Sequence, residues 1–269
     1  MIKREFKVNL KSFIIWASIL VGMFLVVFLI YPYILTDETA KNLDEMMKVF
    51  PPELLKSFNM DLTSINTAYG WLKSEGFMFI LLIVGFYSSS LGANIVLKEE
   101  SDKTIEYLES LPVKRNKIMT NKIIVAITYI VVLVFILGLF NYIALLLSGD
   151  FNQKEYLLLS ITPLFIALPL FAINLFISMF LHKTKKTVGI SLGLVFIFYL
   201  LSVLSELSDK VEFLKYFSIY TLADTRNVIL KTAINPVYVL ISLGLTIIFI
   251  VCSYIRYNKK ELLSWCYGY

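Results

Sequence analysis

The chain has 269 residues, 58% apolar and 17% charged, with a net charge of +5 and a mean hydropathy of +0.76. A soluble domain usually holds about 45–50% apolar and about 25% charged residues, so the balance points to a membrane-embedded chain and excludes disorder, which needs low hydrophobicity and high charge. A small disulfide scaffold is excluded too, because Cys252 and Cys266 are the two cysteines and they lack zinc or redox spacing.

About 20 consecutive apolar residues in a helix cross the hydrocarbon core. Six charge-free stretches meet that length: 12–35, 76–97, 123–147, 156–181, 187–205 and 236–255. A helix satisfies its own backbone in lipid, and the runs are continuous where a β-barrel strand would alternate. The expected fold is therefore an all-α membrane protein, with six transmembrane helices in a single domain over 1–269.

In chain order, Lys3, Arg4, Lys7 and Lys11 precede the first span. The apolar run after them is too long for a signal peptide and lacks a small-x-small cleavage site, so it reads as a retained helix. The 36–75 segment carries Leu43, Met46, Met47 and Phe50, then Pro51 and Pro52, then Leu54, Leu55 and Phe58; it reads as a short amphipathic external cap at the bilayer surface. Pro163 and Pro169 predict a kink in the fourth span. Gly189 and Gly193 form G-x-x-x-G on the fifth, which suits close helix packing at a dimer seam or within one subunit. The 206–235 segment holds Phe213, Tyr216, Phe217 and Tyr220. It can dip partly into the membrane before the sixth span, provided protein buries its backbone.

Loop charge fixes the orientation. The N-terminus, the 98–122 and 182–186 loops and the C-terminus carry sixteen Lys and Arg and seven acids; the other three loops carry nine and thirteen. By the positive-inside rule both termini are cytoplasmic, which leaves the cysteines at or near a reducing compartment without a disulfide. The basic balance then reflects topology and inner-leaflet attraction, and no nucleic-acid partner is expected.

Several chemistries are missing from the sequence. No glycine is followed by Lys, so there is no phosphate-binding loop. The single histidine, His182, sits beside Lys183, Lys185 and Lys186 as a solvated loop residue, so no catalytic or metal site is expected. The six spans contain no Asp, Glu, Lys, Arg or His, whereas ion-coupled carriers commonly place such groups at mid-membrane. An externally powered mover fits better than an ion-coupled secondary transporter or channel, and an enzyme acting on lipid fits least. Ser88, Ser89, Ser90, Asn94, Asn141 and Asn174 are polar groups inside the apolar runs. Ser88, Ser89 and Asn94 are candidates for a substrate cavity, and interhelical hydrogen bonding is the alternative.

The 98–122 loop carries the sharpest signal. From Asp102 to Leu111 it has helical period, with Ile105, Leu108 and Leu111 on one side and Asp102, Glu106 and Glu109 on another. Pro112 ends it, and Lys114, Arg115, Lys117 and Lys122 open the next span at the lipid headgroups. Periodicity alone leaves a docking lever and a solvated turn equally open.

The run LKEESDKTIEYLESLPVKRNKIMTNKII resembles the signature between the second and third spans of ABC-2-type permeases, the membrane subunits of type-2 ATP-binding-cassette exporters. The matching residues are Glu99, Glu100, Thr104, Ile105, Glu106, Leu108, Ser110, Pro112, Val113, Arg115 and Lys122; Asp102-Lys103 departs from the usual form. The segments FPPELLKSFNMD, LKYFSIYTLADTRNVI and YNKKEL are similar to other parts of that family, with Ile219 standing where a proline is usual.

The resemblance implies a bacterial cell-membrane permease that dimerises with a second copy or a paralogue and binds two separate ATPase subunits. Those subunits hold the ATP and Mg; this chain needs no cofactor. Thr104, Ile105, Glu106, Tyr107, Leu108, Glu109 and Ser110 then match the coupling helix seated in the ATPase, with the start of the chain lying along the membrane surface nearby. The load would pass outward between the two permeases, past the second and fifth spans, and an uncharged, aromatic-rich interior suits a peptide antibiotic, a drug or a lipid.

Overall fold

The structure is a computed structural model that describes residues 2–34, 67–102, 113–149, 151–207 and 209–260. Among them there is no strand, and six helices are long and apolar enough to cross a membrane. These are α1 (Ile2–Ile34), α3 (Phe77–Asn94), α5 (Arg115–Ser148), α6 (Gln153–Ser178), α7 (Thr184–Leu207) and α9 (Pro236–Lys259). Short helices join them: α2 (Ala68–Trp71), which runs through a π-helical turn (Leu72–Gly76) into α3, α4 (Leu97–Ser101) and α8 (Thr225–Lys231). The body of each expected span lies on one of these helices, with 76–97 and 156–181 running a few residues past the ends of α3 and α6.

Helix ends overrun the apolar runs. The resemblance implies a start of the chain lying along the membrane surface; Ile2–Ile34 is one helix without a break, so the start runs in line with the first span. Likewise α5 starts at Arg115, eight residues before the charge-free run at 123. Helical hydrogen bonding does not stop where lipid does; charged residues extend a span wherever their side chains find partners.

Helix α6 lies at the centre, packed against α3, α5 and α9. Its contact with α3 is close because glycine makes it so: a Cβ on Gly92 would stand 2.4 Å from the Phe171 carbonyl oxygen. By contrast α1, α7 and α9 bury only 17% of their most apolar windows, against 61% for α3. Their free faces are apolar, as lipid or another membrane helix requires.

Helix α6 continues through both prolines. Each proline removes the N–H that would have bonded the carbonyl four residues back. Hydroxyls fill both gaps. Thr162 Oγ1 donates to the Leu159 carbonyl at 2.8 Å, and Ser242 Oγ on α9 donates to the Phe165 carbonyl at 2.7 Å.

The 206–235 segment packs into the bundle. A 3-10 turn, Ile219–Ala223, buries Ile219, Tyr220 and Leu222 against Leu81, Ile166, Leu170 and Val195. Ser218 Oγ donates to the Phe198 carbonyl at 2.6 Å, nine residues, or about 13 Å, short of the end of α7. The Tyr220 hydroxyl sits 2.3 Å from where a Gly85 Cβ would be, so a larger residue there would displace the Tyr220 ring. Ser218 also caps the turn by accepting from the Tyr220 N–H, so the turn forms without a proline at Ile219. The external cap expected within 36–75 lies outside the described residues up to 66.

Replacing Ser242 by Ala should leave the Phe165 carbonyl unpaired and cost about 1–2 kcal/mol. Thermal unfolding in detergent reads this as a lowered Tm, with Ser242→Thr close to the parent.

Candidate functional site

Glu99, Glu100, Arg115 and Lys122 of the 98–122 motif lie together at one end of the bundle. Helix α4 follows α3 directly and carries Lys98, Glu99 and Glu100. These side chains point in different directions, and each finds its own partner.

Glu99 faces inward. The Lys122 ammonium, 1% exposed and two turns into α5, lies 2.5 Å from Glu99 Oε1, 3.2 Å from Glu5 Oε2 and 2.8 Å from the Ile95 carbonyl. Lys98 reaches the same Glu5 oxygen at 3.4 Å and Asn9 Oδ1 at 3.1 Å. Two carboxylates and two ammonium groups thus form a neutral cluster that joins α1, α4 and α5. Burial, and then the neighbouring Lys122 charge, hold the Lys98 ammonium below its ordinary value, while Glu5 and Glu99 pull it back up.

Glu100 faces the other way. It accepts from Lys260, just past α9, at 2.7 and 3.0 Å, and Lys260 also donates to the Leu181 carbonyl at 3.2 Å. Arg115 donates to the Lys260 carbonyl at 3.1 Å, and His182 Nδ1 lies 3.6 Å from Glu100 Oε2. The two adjacent acids therefore tie the ends of five spans into one unit. Buried charges are tolerated only when paired, and here the pairing supplies the tie.

This clamp joins α4, where the chain enters the 103–112 segment, to the start of α5, where it leaves. Thr104, Ile105, Glu106, Tyr107, Leu108, Glu109, Ser110 and Pro112 lie outside the described residues. Val113 packs on the main core. Lys122 differs from its sequence reading: its side chain is buried and ion-paired inside the protein. The reason is that Glu5 and Glu99 lie within its reach, and pairing with both offsets the loss of water.

The other expected residues fall elsewhere. Ser88 and Ser89 are fully buried, Ser88 donating to the Gly85 carbonyl at 3.1 Å, and Asn94 is half-buried. Nothing lies within 4 Å of a Cβ built on Gly189 or Gly193. Both glycines face outward on α7, so among the described residues they do not mediate packing within one subunit.

The sequence reading missed Glu5, Asn9, Lys98 and Lys260. One signal was available for Glu5, the only acid before residue 37 and set among four basic residues.

Residues 1–262 match the sequence pattern of the ABC-2 family transporter proteins. The chain belongs to that family. This ABC-2 permease is thus a multi-pass membrane subunit of an ABC transporter, a transport subunit whose family works with an ABC ATPase partner. Comparison with characterised proteins and with solved structures gives no significant match.

Removing Lys122 from the permease should be costly. Lys122→Met leaves Glu5 and Glu99 sharing one cation, at about 3–5 kcal/mol. Pairing it with Glu99→Gln restores neutrality, with Glu5 opposite Lys98. Thermal melts should therefore show the double variant above the single, a strongly non-additive pair.

Proposed function

We propose that this permease forms the translocation path of a bacterial ABC exporter and is driven by ATP hydrolysis on a separate subunit. The observation that carries this reading is the clamp. A loop that receives force from a partner needs roots that do not swing independently. The roots at Glu99 and Lys122 are joined to each other, and through Glu5 and Lys260 to α1 and α9. A push on the loop then moves several spans together.

In this reading residues 104–110 form the coupling helix, with Ile105, Tyr107 and Leu108 as apolar contacts to the ATPase and Glu106 and Glu109 facing its basic groups. The matching end of the bundle is cytoplasmic, and both termini lie on that side of the cell membrane. Two ATPase subunits carry ATP and Mg. The load is hydrophobic or amphipathic, such as a peptide antibiotic, a drug or a lipid, and it leaves the cell. Ser88, Ser89 and Asn94 become available to it only when the tight α3–α6 contact relaxes.

Dimerisation follows the outward face of α7. Gly189 and Gly193 lie there with exposed Ile190, Phe196, Ile197, Leu200 and Leu204. Open glycines on an apolar helix let a second helix approach closely. A second permease copy is the occupant this face suits.

Two variants test the reading. Leu108→Arg should insert and fold normally yet abolish transport while the partner's ATP hydrolysis persists; a variant that transports like the parent ends the coupling assignment. Gly193→Leu should shift the purified permease toward monomer in size-exclusion chromatography with light scattering, and unchanged dimer would remove the α7 seam.

A further inference from the structure

The first three turns of α1 have two faces of opposite character. One belongs to the clamp: Glu5, Asn9 and Phe13 are buried. On the other, Lys3, Lys7 and Lys11 recur every four residues, with Arg4 beside them, and all four are exposed. Among the described residues no carboxylate lies within ion-pair distance of these cations, since the carboxylate of α1, Glu5, is taken up by Lys98 and Lys122.

The basic stripe does not stand alone. Exposed Val8 and Leu10 flank it, and above Lys11 the same helix face continues as exposed Ile14, Leu25 and Leu29. Because α1 is one helix, the cations lie in line with the face that meets lipid. Lys3 and Lys11 are eight residues apart, about 12 Å along the axis, which covers the polar layer of one leaflet, about 5–8 Å deep.

We propose that this stripe binds the headgroups of anionic phospholipid, and that the bound lipid fixes α1 and, through Glu5, the roots of the 103–112 loop. The headgroup meets the lysines while the acyl chains run along Ile14, Leu25 and Leu29, with the lysine stems lying along the apolar surface. A soluble partner reaches the basic turns but leaves the apolar continuation unused. A second copy packed through this same face would set cations against cations. The link to the loop rests on the ATP-driven reading above; the lipid site itself does not.

The test uses purified permease in micelles doped with phosphatidylglycerol or phosphatidylcholine, read by native mass spectrometry and thermal melts. The parent should retain phosphatidylglycerol and gain Tm from it over phosphatidylcholine. The Lys3→Gln, Lys7→Gln, Lys11→Gln triple variant should bind it about fivefold more weakly for each charge removed, while the corresponding Arg variants retain it. Lys154→Gln with Lys231→Gln, at the other end of the bundle, should change nothing. Equal retention by the Gln triple variant, or equal loss in the far-end control, overturns the site. So does a triple variant that keeps its lipid response but no longer co-purifies with its ATPase or dimerises, which would assign the face to a protein. In vesicles, phosphatidylglycerol should raise ATP-driven transport by the parent complex and not by the triple variant. Lipid retention without that response overturns the link to the loop. A permease that fails the Leu108→Arg test would leave lipid retention untouched.

Discussion

Lys122 holds one end of this bundle together. A cation buried in a low-dielectric interior must be paired, and among the described residues its carboxylate partners come from distant parts of the chain: Glu99, 23 residues away, and Glu5, 117 residues away. Meeting that single constraint brings the N-terminus onto the entry of the 98–122 loop and the entry onto the exit. Glu100 repeats the arrangement with Lys260 from the other end of the chain. The two adjacent acids would be a liability in a flexible loop. On a short helix wedged between spans they become two separate anchors.

The same logic of unmet polar groups governs the interior. Pro163 and Pro169 leave two carbonyls without helical partners, and Thr162 and Ser242 take them. Ser218 takes the Phe198 carbonyl and Tyr156 the Gly138 carbonyl. With no water in the hydrocarbon region, helix carbonyls become docking points for hydroxyls on neighbouring segments. The Ile219–Ala223 turn is held in the bundle in this way, with its apolar side chains filling the space between α3, α6 and α7.

The spans were legible because a membrane helix is written as an uninterrupted apolar run, and the body of each run lies on an observed helix. Their ends were less legible. The apolar run before Leu35 says where lipid begins, yet α1 continues back to Ile2, because Glu5 and Asn9 have partners inside the protein. The motif Glu99, Glu100, Arg115 and Lys122 was readable as a resemblance, but its physical role was not. Which carboxylate a lysine meets depends on the packing of helices far apart in sequence, and Lys122 looked like one more headgroup lysine. Gly189 and Gly193 show the reverse case: their spacing announced a packing surface, and only the structure shows that the surface faces outward.

A chain of ion pairs runs from the two roots of the 103–112 segment through Glu99, Lys122 and Glu5 into α1, and through Glu100 and Lys260 into α9. In this account the chain is a conduit whose energy arrives from outside the membrane. The direct test is transport in sealed vesicles holding the permease with and without its ATPase, with ionophores collapsing every ion gradient. The account predicts movement of the load only when the ATPase and ATP are both present, undiminished by the ionophores. Full-rate transport by the permease alone on a pH or sodium difference would contradict it.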